Sequence, residues 1–259
     1  MRIMMVGDIV GKCGRRVFAK YTKKLRKEKN LDMVVVNGEN AAGGKGLTDA
    51  TLAELYGQGA DVVTSGNHIW DKKEVMQFID REPFLLRPAN YPEGAPGKGY
   101  CLFPWKAQNV AVINLSGRVF FDALDDPFQK INEILSKIKS EAQIIILDFH
   151  AEATSEKIAM GYYLDGKVSA VIGTHTHVQT ADEQIFENGT AYITDVGMTG
   201  PKNSILGVKK EIIIEKFLTA LPSRFEVAEG PGVYSAIIIE IDDATGFATK
   251  VERILIYEE

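Results

Sequence analysis

His68, His150, His175 and His177 are the four histidines of this 259-residue chain, and each sits in a short polar motif that closes an apolar run. The motifs are Gly66-Asn67-His68, Asp148-Phe149-His150 and Gly173-Thr174-His175-Thr176-His177. Imidazole concentrated in this way reads as a metal site. Two more motifs of the same kind lie upstream: Gly7-Asp8 after Met4-Met5-Val6, and Asn37-Gly38-Glu39-Asn40 after Val34-Val35-Val36. Asp8, Glu39, Asn40, Asn67, His150, His175 and His177 together supply seven oxygen or nitrogen ligands and no sulfur. That is too many for one zinc ion and suits two metals sharing a carboxylate. The chemistry open to such a set is two-metal hydrolysis.

The elements that must position these residues are legible as an alternating rhythm. Ile3–Val6, Val34–Val36, Val62–Thr64, Val110–Leu115, Ile144–Leu147 and Val168–Ile172 are apolar without alternation, as strands buried on both faces are. Between them Arg15–Lys29 places Val17, Tyr21 and Leu25 on one helical face, and its many basic residues read as a solvated outer face. Thr48–Gln58 and Asp71–Arg81 also read as helices, with Thr48 and Asp71 as caps. Pro83–Pro104, rich in Pro and Gly, reads as a loop excursion near the site. After His177 the Asn188-Gly189 turn, Val233–Ile241, a turn at Asp243–Gly246 and Lys250–Tyr257 predict added antiparallel strands. The five polar motifs follow predicted strands, so in an open sheet they gather at strand carboxyl ends, where ligand sites of α/β folds form.

Composition bounds the rest. With 45% apolar and 25% charged residues the chain can bury a full core, read as one domain over 1–259. A net charge of −5 argues against a surface that neutralises long nucleic-acid backbones, while leaving room for a nucleotide or an RNA end. Cys13 and Cys101 are too few for a disulfide framework and read as reduced thiols. The first apolar run is too short for a signal peptide and is interrupted by Asp8; no stretch is long enough to span a bilayer. The expectation is a soluble, cytoplasmic protein without a membrane partner, open to homo-oligomerisation.

The ordered set Gly7-Asp8-Ile9-Val10-Gly11, Asn37 to Gly44, Ser65 to Asp71, Asp148 to Glu152 and Gly173 to Thr180 resembles the calcineurin-like metallophosphoesterases, specifically their YmdB-like branch. The superfamily usually has Asp-x-His at its first motif and a bridging Asp; here Val10 and Glu39 occupy those places, with Asn40 beside Glu39. The resemblance implies that Asn40 replaces the missing His. One metal then takes Asp8, Glu39, Asn40 and His177, and the other takes Glu39, Asn67, His150 and His175. It also implies a four-layer α/β/β/α sandwich of two mixed sheets and a preference for small cyclic nucleotides, notably 2′,3′-cyclic monophosphates. The oxygen-rich first site favours iron or manganese, with zinc as an alternative. A hydroxide bridging the metals would attack phosphorus, and His68, the histidine without a metal role, would protonate the leaving alkoxide as general acid.

Two further readings stay open at this point: a phosphomonoesterase or nucleotidase, and a regulatory protein that binds a nucleotide at its metals with incidental turnover. Glu152, Glu156 and Asp195 read as supporting residues or helix caps. The Gly43-Gly44-Lys45-Gly46 stretch is either a phosphate-binding turn or a tight turn alone, and Arg87 and Asn90 are candidates to face a substrate.

Overall fold

The first apolar run becomes strand β1 (Arg2–Val6), and in the computed structural model, which describes residues 1–259, Ile3 to Val6 are wholly buried. Then follow β2 (Asp8–Ile9), α1 (Gly11–Glu28), β3 (Met33–Asn37), α2 (Asp49–Gly57) and β4 (Val62–Thr64). The middle of the chain contributes β5 (Tyr100–Trp105), β6 (Gln108–Ser116), α3 (Pro127–Ile138), β7 (Ala142–His150), α4 (Thr154–Tyr163) and β8 (Ala170–Thr174). The last third adds β9 (Gln184–Ile185), β10 (Ala191–Ile193), β11 (Met198–Pro201), α5 (Lys210–Thr219), β12 (Gly232–Ile241) and β13 (Ala248–Tyr257).

Two mixed sheets result. The first runs β2-β11-β12-β1-β3-β4, with β13 also on β12; the second runs β5-β6-β7-β8-β10-β9. The strands β1, β3 and β4 are mutually parallel, as are β6, β7, β8 and β10. The pleat sends alternate residues to opposite faces. Met4, Val6, Val34 and Val36 pack on Val17, Phe18 and Leu25 of α1 and Leu52 and Leu55 of α2. Ile3, Met5, Met33 and Val35 pack instead on Val110, Val112, Ile144 and Ile146 of the second sheet. The other face of that sheet, Ala111, Ile113, Ile145 and Leu147, receives Ile131, Ile134 and Ile138 of α3 and Met160 of α4. This is the expected four-layer α/β/β/α sandwich. Both faces of each sheet are covered, hence the continuous apolar runs, and each large aliphatic side chain buried there contributes about 1.5–3 kcal/mol.

Local chemistry starts and stops the helices. Thr48 caps α2 in a reciprocal pair with Thr51, and Asp126 caps α3 through Phe128 N and Gln129 N with Pro127 in the first turn. The expected helix over Asp71–Arg81 is instead two 3₁₀ turns, Lys73–Gln77 and Ile79–Arg81, and Asp71 caps neither. Its carboxylate is engaged by His68, while Val75, Phe78 and Ile79 are the buried anchors and Pro83 prevents continuation. The excursion after Pro83 is loop only as far as Gly99; Tyr100–Trp105 is an edge strand whose Pro104 lies opposite Asn109. Arg87 and Asn90 do not face a substrate. Arg87 is turned inward onto the carbonyls of Pro88, Ala95 and Pro96, and Asn90 bonds Ser116 and Asp125, so both shape the loop. The Asn188-Gly189 turn joins β9 to β10 as expected, and both cysteines are free and buried.

Candidate metal centre

Every predicted ligand lies at or just beyond the carboxyl end of a parallel strand. Asp8 follows β1, Glu39 and Asn40 follow β3, Asn67 follows β4, His150 ends β7, and His175 and His177 follow β8. They converge. His150 Nε2 lies 3.2 Å from Glu39 Oε1, 3.1 Å from Asn67 Oδ1 and 3.0 Å from His175 Nδ1. Asn40 Nδ2 lies 3.0 Å from Glu39 Oε1 and 3.3 Å from His177 Nε2, which ties the second imidazole to the same carboxylate. Asp8 accepts His175 N through Oδ2, at 3.2 Å. Gly66 makes room for this packing: a Cβ there would sit 2.3 Å from His150 Nε2 and 2.4 Å from Glu39 Oε2.

Each imidazole has its outer nitrogen occupied and its inner one aimed at the cluster. His150 Nδ1 bonds Thr174 Oγ1 at 2.9 Å, and that hydroxyl donates to Asp148 Oδ1 at 2.7 Å. Asp148 is steadied in turn by Thr64 and Asn37. Because Thr174 spends its proton on Asp148, it accepts from His150 Nδ1–H, leaving a lone pair on Nε2. His177 Nδ1 donates to Leu206 O at 3.0 Å, and His175 Nε2 lies 3.1 Å from Glu152 Oε2. The Phe121 ring lies beside His175, with centroids 4.7 Å apart and the planes tilted by 53°.

The donor set fits metal ions. Asp8 Oδ1 is buried without any hydrogen-bond partner, 3.9 Å from the His150 ring at Nδ1. Glu39, His150 and His175 hold their ligand atoms within 4.8 Å of one another. Asp8, Glu39, Asp148 and Asp195 are all fully buried, with Lys157 as the one ammonium among them. Burial, and then the neighbouring carboxylates working against His150, pushes the Asp8 carboxyl well above its usual range. Burial opposes charge on His150, but Glu39 overrides it and raises the imidazole to about 9; bound cations would take the place of that proton. Burial lowers His175 to about 3 and lowers His177 too, which keeps both neutral and able to donate a lone pair.

His68 stands at the rim, as the sequence placed it. Its backbone N–H binds Glu39 Oε2 at 3.1 Å, and its Nδ1 lies 3.0 Å from Asp71 Oδ2, so Nε2 remains for the pocket. The pocket has a volume of about 290 Å³, and Lys45, Leu206, Val208 and Phe225 complete its wall. Lys45 Nζ reaches Asp71 at 3.9 Å. The glycine stretch beside it is a tight turn: Gly43, Gly44 and Gly46 have positive φ, and the N–H groups of Ala42, Gly43 and Gly44 bond Gly46, Ala41 and Asn40. Sequence reasoning missed Asp71 as the partner of His68, although a spacing of three residues was a usable signal. It also missed Asn37, Asp148 and Thr174 as the layer behind the imidazoles.

A two-sheet sandwich with oxygen and imidazole ligands at its strand ends defines a phosphoesterase of the metallophosphoesterase class. The model of the YmdB-like protein family matches residues 4–254. The chain belongs to the YmdB-like family. It is 54% identical to a 2′,3′-cyclic-nucleotide 2′-phosphodiesterase of Bacillus subtilis (strain 168), over 100% of this chain and 98% of that one. Among solved structures it is similar to a hypothetical protein of Thermus thermophilus, with TM-score 0.94, 39% identity and 100% of both chains covered. It is also similar to a phosphatase of Mycoplasma pneumoniae, with TM-score 0.95, 33% identity and 100% and 94% of the two chains covered. The chain is a phosphodiesterase, and no helix in it is long and apolar enough to cross a membrane.

Proposed function

We propose that the chain opens 2′,3′-cyclic nucleoside monophosphates at a dinuclear centre of iron or manganese. The observation that carries this is the convergence of Glu39, Asn67, His150 and His175 on one point, with Asn40 and His177 beside them and Asp8 Oδ1 left without a partner. One ion would be held by Asp8, Glu39, Asn40 and His177, and the other by Glu39, Asn67, His150 and His175, with Glu39 bridging. An amide half-turn puts the Asn40 oxygen where its nitrogen now lies. The predominance of oxygen ligands and the lack of thiolate favour iron or manganese. When bound, the ions supply Lewis acidity that activates water and neutralises phosphoryl charge.

The chain's own part is orientation and proton delivery. Glu39 and the three imidazoles would hold the ions that position the phosphoryl group, and His68, which lines the pocket and is held through Nδ1 by Asp71, keeps Nε2 for proton transfer. Water oxygen adds to phosphorus, one bond from phosphorus to a ribose oxygen breaks, and His68 gives that oxygen its proton. The product is a phosphomonoester, and the water's proton balances the one His68 gives up. The preference for the 2′,3′ ring is supported by the Bacillus subtilis relative, whose sequence matches along the whole chain.

The test is hydrolysis of 2′,3′-cyclic AMP by manganese-reconstituted protein, beside His68→Ala and a p-nitrophenyl monoester. Cleavage of the diester should fall by about 10²–10⁴-fold in His68→Ala while manganese stays bound. Faster turnover of the monoester would replace this reading with a phosphomonoesterase. Nucleotide binding without turnover would replace it with a regulatory binding protein.

A further inference from the structure

A second cleft, of about 780 Å³, adjoins the metal pocket, and the two share a wall. Phe225 lines both. Gly43 lines the outer cleft and Gly44 the inner pocket, so consecutive glycines form the ridge between them. At Gly44 there is no room for a side chain, since a Cβ would fall 2.5 Å from Val227 Cγ2; Gly43 has open space around it, and both glycines have positive φ. Phe225 and the Gly43-Gly44 backbone are the shared wall that a chain molecule reaching from the metal pocket into the outer cleft would cross.

The outer cleft is lined with cations. Lys12, Arg16 and Arg224 face it, together with Glu226 and Glu229. Glu226 is paired with Lys209 at 2.6 Å, and Arg16 is committed to Glu258 at 2.8 Å and to Gly230 O at 2.9 Å. Lys12 and Arg224 have no carboxylate within ion-pair reach. Lys12 also belongs to the first turn of α1, which has no side-chain cap and no acidic residue, so the positive end of that helix adds to the same potential. The cleft thus sets two cations without an ion-pair partner, Lys12 and Arg224, against one such carboxylate, Glu229, beside the metal pocket of a chain whose net charge is −5.

We infer that the outer cleft holds the upstream nucleotide of an oligoribonucleotide whose 3′ end carries the 2′,3′-cyclic phosphate, with Lys12 and Arg224 binding the phosphodiester on the 5′ side of the terminal nucleoside. This rests on the cyclic-nucleotide reading of the metal pocket. A 2′,3′-cyclic phosphate arises when RNA is cut by attack of its own 2′-hydroxyl, so the ring is attached to a chain before it is free. The terminal ring occupies the metal pocket, its base lies against Phe225, and the 5′ oxygen leads over Gly43 and Gly44. The cleft has room for one or two nucleotides, in keeping with a surface unsuited to long nucleic acid.

The test compares kcat/KM for adenylyl-adenosine 2′,3′-cyclic phosphate with that for 2′,3′-cyclic AMP, in the manganese-loaded protein and in a Lys12→Ala/Arg224→Ala variant. Both side chains are exposed, so the variant should keep its far-UV circular dichroism. The dinucleotide should be preferred by about tenfold or more at low salt, the preference should shrink as salt rises, and it should fall to near one in the variant. Equal rates in the native protein, or a preference that survives the double substitution, overturns the inference. Anisotropy of a 5′-labelled trinucleotide 3′-phosphate, competed by 3′-AMP, makes the same comparison without turnover. Tight trinucleotide binding lost in the variant, with no hydrolysis of either diester, would sink the cyclic-nucleotide reading and keep the cleft. Hydrolysis of 2′,3′-cyclic AMP without a dinucleotide preference would do the reverse.

Discussion

Asp195 grips Thr176 twice, accepting its backbone N–H at 2.9 Å and its hydroxyl at 2.8 Å on the same oxygen, Oδ2. Lys157 Nζ reaches that oxygen at 2.7 Å, and Oδ1 accepts Gly197 N at 2.8 Å. Thr176 lies between His175 and His177, whose φ values of 102° and 65° are costly for non-glycine residues. Two imidazoles can be turned toward one point from loop positions two apart only if something holds this backbone. Asp195 does so from β10's carboxyl end, and the buried Lys157 balances its charge.

Asp195→Ala therefore removes a partner from a buried pair and releases the His175 to His177 loop. The expected loss is about 3–5 kcal/mol in urea unfolding, because Lys157 is left as an uncompensated buried ammonium. Lys157→Met/Asp195→Leu, which removes both charges, should recover much of that stability and none of the activity. A loss below about 1 kcal/mol for the single variant would show that the pair does not hold the loop.

Gly66→Ala tests packing at the centre itself. The added methyl meets His150 and Glu39 at well under contact distance, and neither can retreat, since both are fully buried. Metal content after reconstitution should fall severalfold and diester hydrolysis about 100-fold or more, consistent with displacement of ligands by an ångström. Retained metal content with wild-type turnover would mean that Glu39 and His150 are not jointly ligands.

How much of this was legible follows from where the information lies along the chain. The strand-end motifs were readable because each ligand directly follows an apolar run, so period and punctuation suffice. Asn37, Thr64, Asp148 and Thr174 were not, since they are polar residues at or near the last position of otherwise apolar strands. Their meaning depends on register, which sets Asn37 opposite Thr64 and His150 opposite Thr174. The helix expected over Asp71–Arg81 failed because a local contact three residues back, Asp71 to His68, took the capping carboxylate. The helix α3 was overlooked although Asp126, Pro127 and the Ile131, Ile134, Ile138 spacing announce it. The order of layers came from resemblance; strand periodicity alone shows only that both faces are covered.

Acid sensitivity should come in part from Glu258. It is nearly buried, accepts Gly232 N at 2.8 Å and pairs with Arg16 and Lys20. Burial would raise its carboxyl, but Lys20, the Gly232 N–H and Arg16 outweigh that and hold it below the usual glutamate range. A depressed folded pKa means that the stabilisation is complete above the unfolded value near 4.5 and disappears as pH falls through the folded one. Glu258→Gln should therefore be less stable than the native chain at pH 7, and the gap should close with acidification below about pH 4. A gap independent of pH would assign the effect to packing instead of charge.

Thr174→Val isolates the outer contact of one imidazole while nearly keeping volume. In the native chain His150 Nδ1–H donates to Thr174, and Thr174 donates to Asp148, so the tautomer with its lone pair on Nε2 is enforced. Valine offers no acceptor, and the buried N–H loses its partner as Asp148 loses a donor. Manganese affinity measured by isothermal titration should drop about 10–100-fold, as loss of a partner behind a metal-ligating histidine typically produces. Thr174→Ser, which restores the hydroxyl, should recover most of the affinity. Because β8 and its register with β7 are set by Val171 and Ile172, the strand itself should persist, and hydrogen exchange across β7 and β8 distinguishes local loss of the imidazole from loss of the sheet. Unchanged affinity in Thr174→Val would mean that Asp148 and Thr174 do not orient His150, and that the close packing of Glu39 and Asn67 alone fixes its ring.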